Sequence, residues 1–499
     1  MKVEVTDDQI QRLVDQVVDR VQSRLGGGPS RQGVETTGPR SVAATATAPR
    51  FAPRPASGNA RGIFSDMDSA VRAAGEAYRA LGEIPLARRG RIIDAIRDAA
   101  RKHAEPLAAL NVQETKMGRV ASKVQKILLA ADKTPGIEDL TPMAYSGDDG
   151  LTLVEPAPYG VMGVITPSTN PVSTVVNNGI SLIAAGNAAV INPHPGAKQV
   201  TNEIVGILNE AIQAAGGPEN LLCSMANPSI ETGGALMKHP DVRLLLVTGG
   251  EGVVHAAMTS GKKVVAAGPG NPPVIVDDTA NVTHAARSIV DGAAFDNTIL
   301  CIAEKEVFVY ENVADRLKED MKAYGAVELG RSDAQRLLEK VLDLSAKPYP
   351  MPRREFVGRD PAVLLDAIGV AAHRDVRLVI TEVDDVMHPL VQSEQLMPFV
   401  PVLRVRDLDH ALAWAKQAEH GFRHSAMMHS EHVSRMSRVA REIETTIFVK
   451  NAPSYAGLGF GGEGFTTLSI AGPTGEGLTS ARTFTRQRRC VLAGAFRIV

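Results

Sequence analysis

Five short apolar runs, set among stretches of helical spacing, constrain this chain more than any other feature. They are GVMGVIT (160–166), AAVIN (188–192), RLLLVT (243–248), PPVIVDD (272–278) and KEVFVY (305–310). Helices are expected over 66–80, 86–110, 172–186, 198–215 and 408–419. Short apolar strands between helices imply mostly parallel sheets with helices on their faces, an α/β fold. Strand 160–166, helix 172–186 and strand 188–192 form one βαβ unit. Such units build Rossmann-type domains, whose ligands sit beyond the C-terminal ends of the strands. Here those ends run into PSTNP, PHPGAK and GGEG, all polar or rich in Gly and Pro.

The chain has 499 residues, room for about three domains. A 44% hydrophobic content supplies a large core. Lys and Arg total 54 against 56 acidic residues, a net charge of −2 that exerts no global pull on nucleic acid or an anionic membrane. The three cysteines, Cys223, Cys301 and Cys490, form no CxxC pair, as expected in a reducing cytosol. No apolar run reaches the roughly 18 residues of a membrane span, and the first residues lack a secretory core. A cytoplasmic location is expected.

The first 25 residues read as a separate amphipathic helix. Ile10, Leu13, Val14, Val17, Val18, Val21 and Leu25 share one face, and Gly26–Gly28 end it. Residues 26–60 are rich in Gly, Pro, Ala, Thr and Arg and read as a flexible linker. An amphipathic helix alone in water is marginal and its apolar stripe wants a partner, so a docking tail is one reading and packing on the body another.

Three motifs point elsewhere but lack context. GLGFGG (457–462) satisfies G-x-G-x-x-G, yet no helix start follows it. His420, His424, His429 and His432 crowd together without the spacing of a zinc site, so they read as ordinary surface or core histidines and no metal is expected. Arg482, Arg486, Arg488 and Arg489 have no interleaved aromatic residues, so nucleic acid is not expected.

Four segments in order carry a resemblance. VITPSTNPVSTVVNNGISLIAAGNAAVINPHP (164–195) resembles the cofactor-binding stretch of the aldehyde dehydrogenase superfamily, and VTGGEGV (247–253) its second nucleotide-contacting loop. NTILCIAEKEV (297–307) resembles the nucleophile segment, and EQLMPFVPV (394–402) the later Glu-and-Phe motif. Within that superfamily the chain is most similar to CoA-acylating aldehyde dehydrogenases of bacterial microcompartments, of the propionaldehyde type. There a short helix and linker, like residues 1–60, target the enzyme to a protein shell.

The resemblance implies Cys301 as nucleophile, with the Asn170 amide and the Cys301 N–H stabilising the oxyanion. Cysteine is the most nucleophilic side chain near neutral pH, and a tetrahedral oxyanion needs fixed donors. The resemblance also implies an NAD site: Thr166, Pro167, Asn192 and His194 at the adenosine end, Gly249, Gly250 and Glu251 near the pyrophosphate, and Glu394 on the nicotinamide ribose. Two departures shape the expectation. Hydrolytic members carry Lys-Pro-x-Glu where this chain has Asn192-Pro193-His194-Pro195, which leaves NAD preferred over NADP on weak grounds. They also carry a catalytic Glu before a Gly-Gly pair, where this chain reads VVAAGPGNPP with Ala266, Ala267 and Gly268. Without that base to activate water, the acyl-enzyme waits for the thiol of coenzyme A. The alternatives are a hydrolytic enzyme with another base, and a noncatalytic scaffold.

The implied architecture has a cofactor domain (61–267), a catalytic domain (268–444), a return to the cofactor domain (445–481) and a small β oligomerisation flap from 151–158 and 482–499. A homodimer or homotetramer follows from the resemblance. Its partners would be a small aldehyde and, through the N-terminal helix, shell or core proteins of a microcompartment.

Overall fold

A computed structural model describes residues 61–372 and 375–497. The expected helix over 1–25 and linker over 26–60 lie outside the described residues. Two parallel sheets organise the rest. The first contains β1 (Ile63–Phe64), β2 (Val161–Ile165), β3 (Ala188–Asn192), β4 (Leu222–Met225), β5 (Val242–Thr248) and β6 (Lys263–Ala267), in the order β1-β4-β3-β2-β5-β6. Every neighbouring pair is parallel. Helix α2 (Pro171–Ala184) packs on it, and α1 (Val120–Lys133) lies beside α2. The strand order reverses between β3 and β5, on either side of β2, which makes the C-terminal end of β2 a switch-point crevice.

The second sheet contains β7 (Pro273–Val276), β8 (Glu306–Tyr310), β9 (Ala326–Glu328), β10 (Leu378–Glu382), β11 (Phe399–Val405), β12 (Ser425–His429) and β13 (Ile447–Lys450). Its order is β9-β10-β11-β8-β7-β12-β13, again all parallel. Strand β8 is central and wholly buried. Val307 and Val309 join the core on one face, Phe308 and Tyr310 the core on the other, as the two-residue period of a strand requires.

A third, antiparallel sheet pairs Gly150–Pro158 with Met143–Gly147 on one edge and Thr485–Ala493 on the other. The strand at 143–147 was not expected, and 482–484 belongs to a short turn of 3₁₀ helix. The 485–493 strand is an exposed edge, with Val491 59% exposed.

Two boundaries differ from expectation. The helix expected over 86–110 breaks at His103 into Leu86–Lys102 and Ala104–Thr115. Pro106 has no N–H to bond the preceding turn, so it suits the start of a new helix better than the middle of an old one. The chain also leaves the second sheet later than 445: Ile447–Lys450 still pairs with β12. It returns to α2 near residue 467, where the Leu468 N–H donates to Asn177 Oδ1 at 3.0 Å. No helix among the described residues is long and apolar enough to cross a membrane.

Candidate active site

Cys301 sits in the short link between α3 (Val282–Ala294) and β8, five residues before the strand begins. Three consecutive residues of that link, Asp296, Asn297 and Thr298, have φ of 49°, 54° and 65°. Non-glycine residues hold that conformation only when their surroundings over-determine it. Here they do. Asp296 Oδ1 accepts from the Arg119 N–H at 2.7 Å. Asn297 Nδ2 donates to the Gly358 carbonyl at 2.9 Å and to Asp360 at 3.0 Å. Thr298 Oγ1 bonds back to the Ala293 carbonyl at 2.5 Å. From the strand side, Lys305 Nζ donates to the Thr298 carbonyl at 2.8 Å. The segment that carries Cys301 is thus tied at both ends.

Cys301 is half-buried, whereas Cys223 is buried in the first core and Cys490 exposed. Burial pushes the Cys301 thiol up to about 12, and the nearby Glu394 carboxylate adds to the rise. Lys305 and the backbone N–H groups of Cys301 and Ile302 pull the other way. Glu394 itself is raised to about 7 by burial, against the pull of Lys305 and the Gly270 N–H. Tertiary structure therefore gathers Cys301, Lys305 and Glu394 into one electrostatic group.

Asn170 is the residue before α2, with Pro171 at the first helical position, where a missing N–H costs nothing. Its side chain does not cap the helix. Instead Oδ1 accepts from Lys126 Nζ of α1. Lys126 also pairs with Asp296, and Lys123 reaches Asp296 at 3.1 Å and the Thr169 carbonyl at 3.0 Å. Both lysines are buried, Lys123 at 2% and Lys126 at 3% exposure. Nothing in the spacing of a single sequence marked them, because long cationic side chains on an amphipathic helix ordinarily face water.

The expected cofactor residues fall at the C-terminal ends of three adjacent strands. Thr166 and Pro167 follow β2. The Thr166 hydroxyl is buried without a hydrogen-bond partner. Asn192 ends β3, and its Oδ1 accepts from Thr232 Oγ1 at 2.7 Å in the cap of the helix Ile230–Lys238. His194 follows in a turn where its Nδ1 accepts from the Gly196 N–H at 3.0 Å. Burial lowers its pKa, and Arg354 adds to that. Gly249 and Gly250 follow β5, and Glu251 opens the helix Glu251–Met258. A side chain at Gly250 would meet only open space. Glu394 lies apart from this row, on the second sheet's side with Cys301.

His424, read from sequence as an ordinary histidine, belongs to the site. It is 1% exposed, and its Nδ1 pairs with Ser425 Oγ at 2.8 Å while Nε2 has no partner. A Cβ placed on Gly270 would lie 2.8 Å from the Cys301 carbonyl oxygen and 2.9 Å from His424 Cγ. Burial drives the imidazole down to about 4, helped by Lys305, so it is neutral at physiological pH. Its companions scatter. His420 stacks on Tyr349 at 3.7 Å, His432 caps the helix Val433–Glu442, and His429 is buried on β12 beside His284. No cluster with metal-ligating composition occurs among the described residues. GLGFGG forms a turn in which Gly459 and Gly461 take positive φ, with no helix behind it. At the end of β6, Ala266, Ala267 and Gly268 place no carboxylate, and Gly268 packs against Pro473.

The aldehyde dehydrogenase family model matches residues 57–335. The acetylating acetaldehyde dehydrogenase EutE of Salmonella typhimurium is 50% identical over 440 residues, 88% of this chain and 94% of that protein. The CoA-propanoylating propanal dehydrogenase of the same organism is 45% identical over 438 residues, 88% of this chain and 93% of that protein. Among solved structures, Rhodopseudomonas palustris propionaldehyde dehydrogenase with bound CoA and an acylated cysteine superposes with a TM-score of 0.85 at 46% identity, over 88% of this chain and all of that one. A propionaldehyde dehydrogenase from the Clostridium phytofermentans fucose utilisation bacterial microcompartment gives 0.85 at 45% identity over the same shares. The chain belongs to the aldehyde dehydrogenase family.

Proposed function

We propose that this enzyme oxidises a short-chain aldehyde, propionaldehyde or acetaldehyde, to its acyl-CoA with NAD+ and coenzyme A, and that Cys301 carries the acyl group. The observation that carries the reading is the pairing of a held, half-buried Cys301 with the absence of a carboxylate at Ala266–Gly268. Cys301 adds to the aldehyde carbonyl, and the Asn170 amide and the Cys301 N–H receive the oxyanion. The residues present fit a dinucleotide: Thr166 offers a buried unpartnered hydroxyl at the switch point, and Gly250 faces open space before a helix N-terminus. A bound nicotinamide supplies the hydride acceptor. Thr166, Pro167, Asn192 and His194 would hold its adenosine end, Gly249, Gly250 and Glu251 its pyrophosphate, and Glu394 the ribose beside Cys301.

The resulting thioester meets no general base at the position where hydrolytic relatives keep one, so it persists until the CoA thiol attacks. His424, neutral and with an unpartnered Nε2, accepts the thiol proton in this reading. Transfer of the acyl group from the Cys301 sulfur to the CoA thiol breaks one thioester as it forms another and is nearly balanced in energy, so the reverse reaction to aldehyde is chemically open. The domain division follows the two sheets, and the exposed edge at 485–493 is the contact by which subunits assemble into a dimer or tetramer. Residues 1–25, read from the sequence as an amphipathic helix, dock on shell or core proteins of a microcompartment inside the cytoplasm.

The test is aldehyde oxidation by the purified protein. NAD+ reduction should require CoA. Cys301→Ala should abolish it and Cys223→Ala should leave it intact. Steady NADH formation with release of free acid in the absence of CoA would select hydrolysis instead. Failure to bind NAD+ in a titration would revive the noncatalytic scaffold.

A further inference from the structure

The oxyanion donor and the nucleophile segment are joined by one buried charge cluster. Lys123 and Lys126 lie one turn apart on α1, and both contact Asp296 Oδ2. Asp296 is fully buried and starts the left-handed run that leads to Cys301. From the same helix, Lys126 reaches Asn170 Oδ1 and Lys123 the Thr169 carbonyl. One helix therefore grips two segments: the loop after β2 that carries Asn170, and the link before β8 that carries Cys301.

An amide has one acceptor end and one donor end. With Oδ1 committed to an ammonium, the Asn170 amide must turn Nδ2 to the opposite side. There its one partner among the described residues is Thr169 Oγ1, at a long 3.4 Å, which leaves an N–H for an incoming oxyanion. Two ammonium groups against one carboxylate also leave the cluster one positive charge in excess when both are protonated. That charge lies within electrostatic reach of Cys301.

We propose that Lys126 is a positioning residue of the oxyanion site, fixing the donor face of Asn170 and supplying positive charge where negative charge develops at Cys301. The inference rests on the oxyanion role proposed for Asn170. The groups facing Lys126 are Asp296, Lys123 on its own helix, Asn170 and Cys301. Burial lowers Lys126 to about 7; Asp296 opposes the fall, Lys123 adds to it, and an ionised Cys301 favours the charged form. The ammonium is thus present below about pH 7 and lost above it unless an anion forms beside it.

The experiment is steady-state kinetics of the full-length enzyme with Lys126→Gln, Asn170→Ala and both. Lys126→Gln should lower kcat by about 10- to 100-fold with little change in aldehyde KM, because the lost contact matters in the transition state. The wild-type to Lys126→Gln ratio of kcat should be largest below pH 7 and shrink above it, whereas a scaffolding role predicts a ratio flat with pH. The double variant should fall little below Asn170→Ala, since the two act as one unit. Should Lys126→Gln fail to fold, Lys126→Arg keeps the pair with Asp296 but presents a planar fork that never deprotonates. It should lose at least about tenfold in kcat and the step near pH 7. A Lys126→Gln or Lys126→Arg enzyme with wild-type kcat and pH profile overturns the inference. If Asn170→Ala is itself fully active, the oxyanion reading fails first.

Discussion

Cys301 and His424 meet across Gly270: a single carbon added to that glycine would lie 2.8 Å from the Cys301 carbonyl oxygen and 2.9 Å from His424 Cγ. Backbone oxygen does not yield at that distance, so Gly270→Ala must push the Cys301 segment or the imidazole aside. The expected cost in stability is about 1–3 kcal/mol, the range for overpacking. The cost in kcat should be larger, tenfold to about 100-fold, because roughly an ångström of misplacement suffices for that. Thermal melting beside initial rates checks both; a fully active, equally stable Gly270→Ala would show that the contact is slack.

Glu394 opposes the Cys301 thiolate. Its carboxylate adds to the rise of the thiol, so Glu394→Gln should lower the thiol pKa and speed alkylation of Cys301 by iodoacetamide at pH 8. Peptide mass spectrometry separates Cys301 from exposed Cys490, and Cys223, pushed up to about 12 by burial, should stay unmodified. The same substitution should raise KM for NAD+ if Glu394 holds the ribose. Slower alkylation would reverse the sign assigned to the pair.

His424 makes the fold sensitive to acid. Its folded pKa of about 4 lies below the 6.5 of a free imidazole. The unfolded chain therefore binds the extra proton first, and stability present above pH 6.5 is lost as pH falls towards 4. One such group costs about 2 kcal/mol between pH 7 and pH 5. Urea denaturation at the two pH values should show a smaller loss in His424→Gln by about that amount. His429, driven to about 3, continues to act in the same direction in that variant.

The exposed edge at 485–493 should govern assembly. Val491 is 59% exposed and Leu492 46%, on a strand with one side unpaired among the described residues. An unpaired edge bearing apolar side chains invites another chain. In sedimentation the wild-type protein should exceed its 53.0 kDa chain mass, and Val491→Asp should shift it towards that value. A wild-type monomer would remove the edge from consideration.

Asn170→Ala should lower kcat by about 10²–10³, the usual loss for one oxyanion donor. Unchanged rates would take Asn170 out of the mechanism and leave the Cys301 N–H as sole donor.

Local pattern determined most of the frame. Runs such as AAVIN and RLLLVT are too short and too apolar to be anything but buried strands, and they appear at Ala188–Asn192 and Val242–Thr248. The motif segments likewise placed Cys301 ahead of β8 and Asn170 ahead of α2, because backbone geometry at strand and helix ends is set within a few residues. What tertiary structure alone decided is the company these residues keep. Lys126 is 44 residues from Asn170 and 170 from Asp296, and His424 is more than a hundred from Cys301. In sequence they look like a solvated lysine and a core histidine. Burial removes water from them, and a buried charge or imidazole then takes its state from whichever groups the fold sets against it. Chemistry of that kind is a property of distances across the fold, which no spacing along the chain encodes.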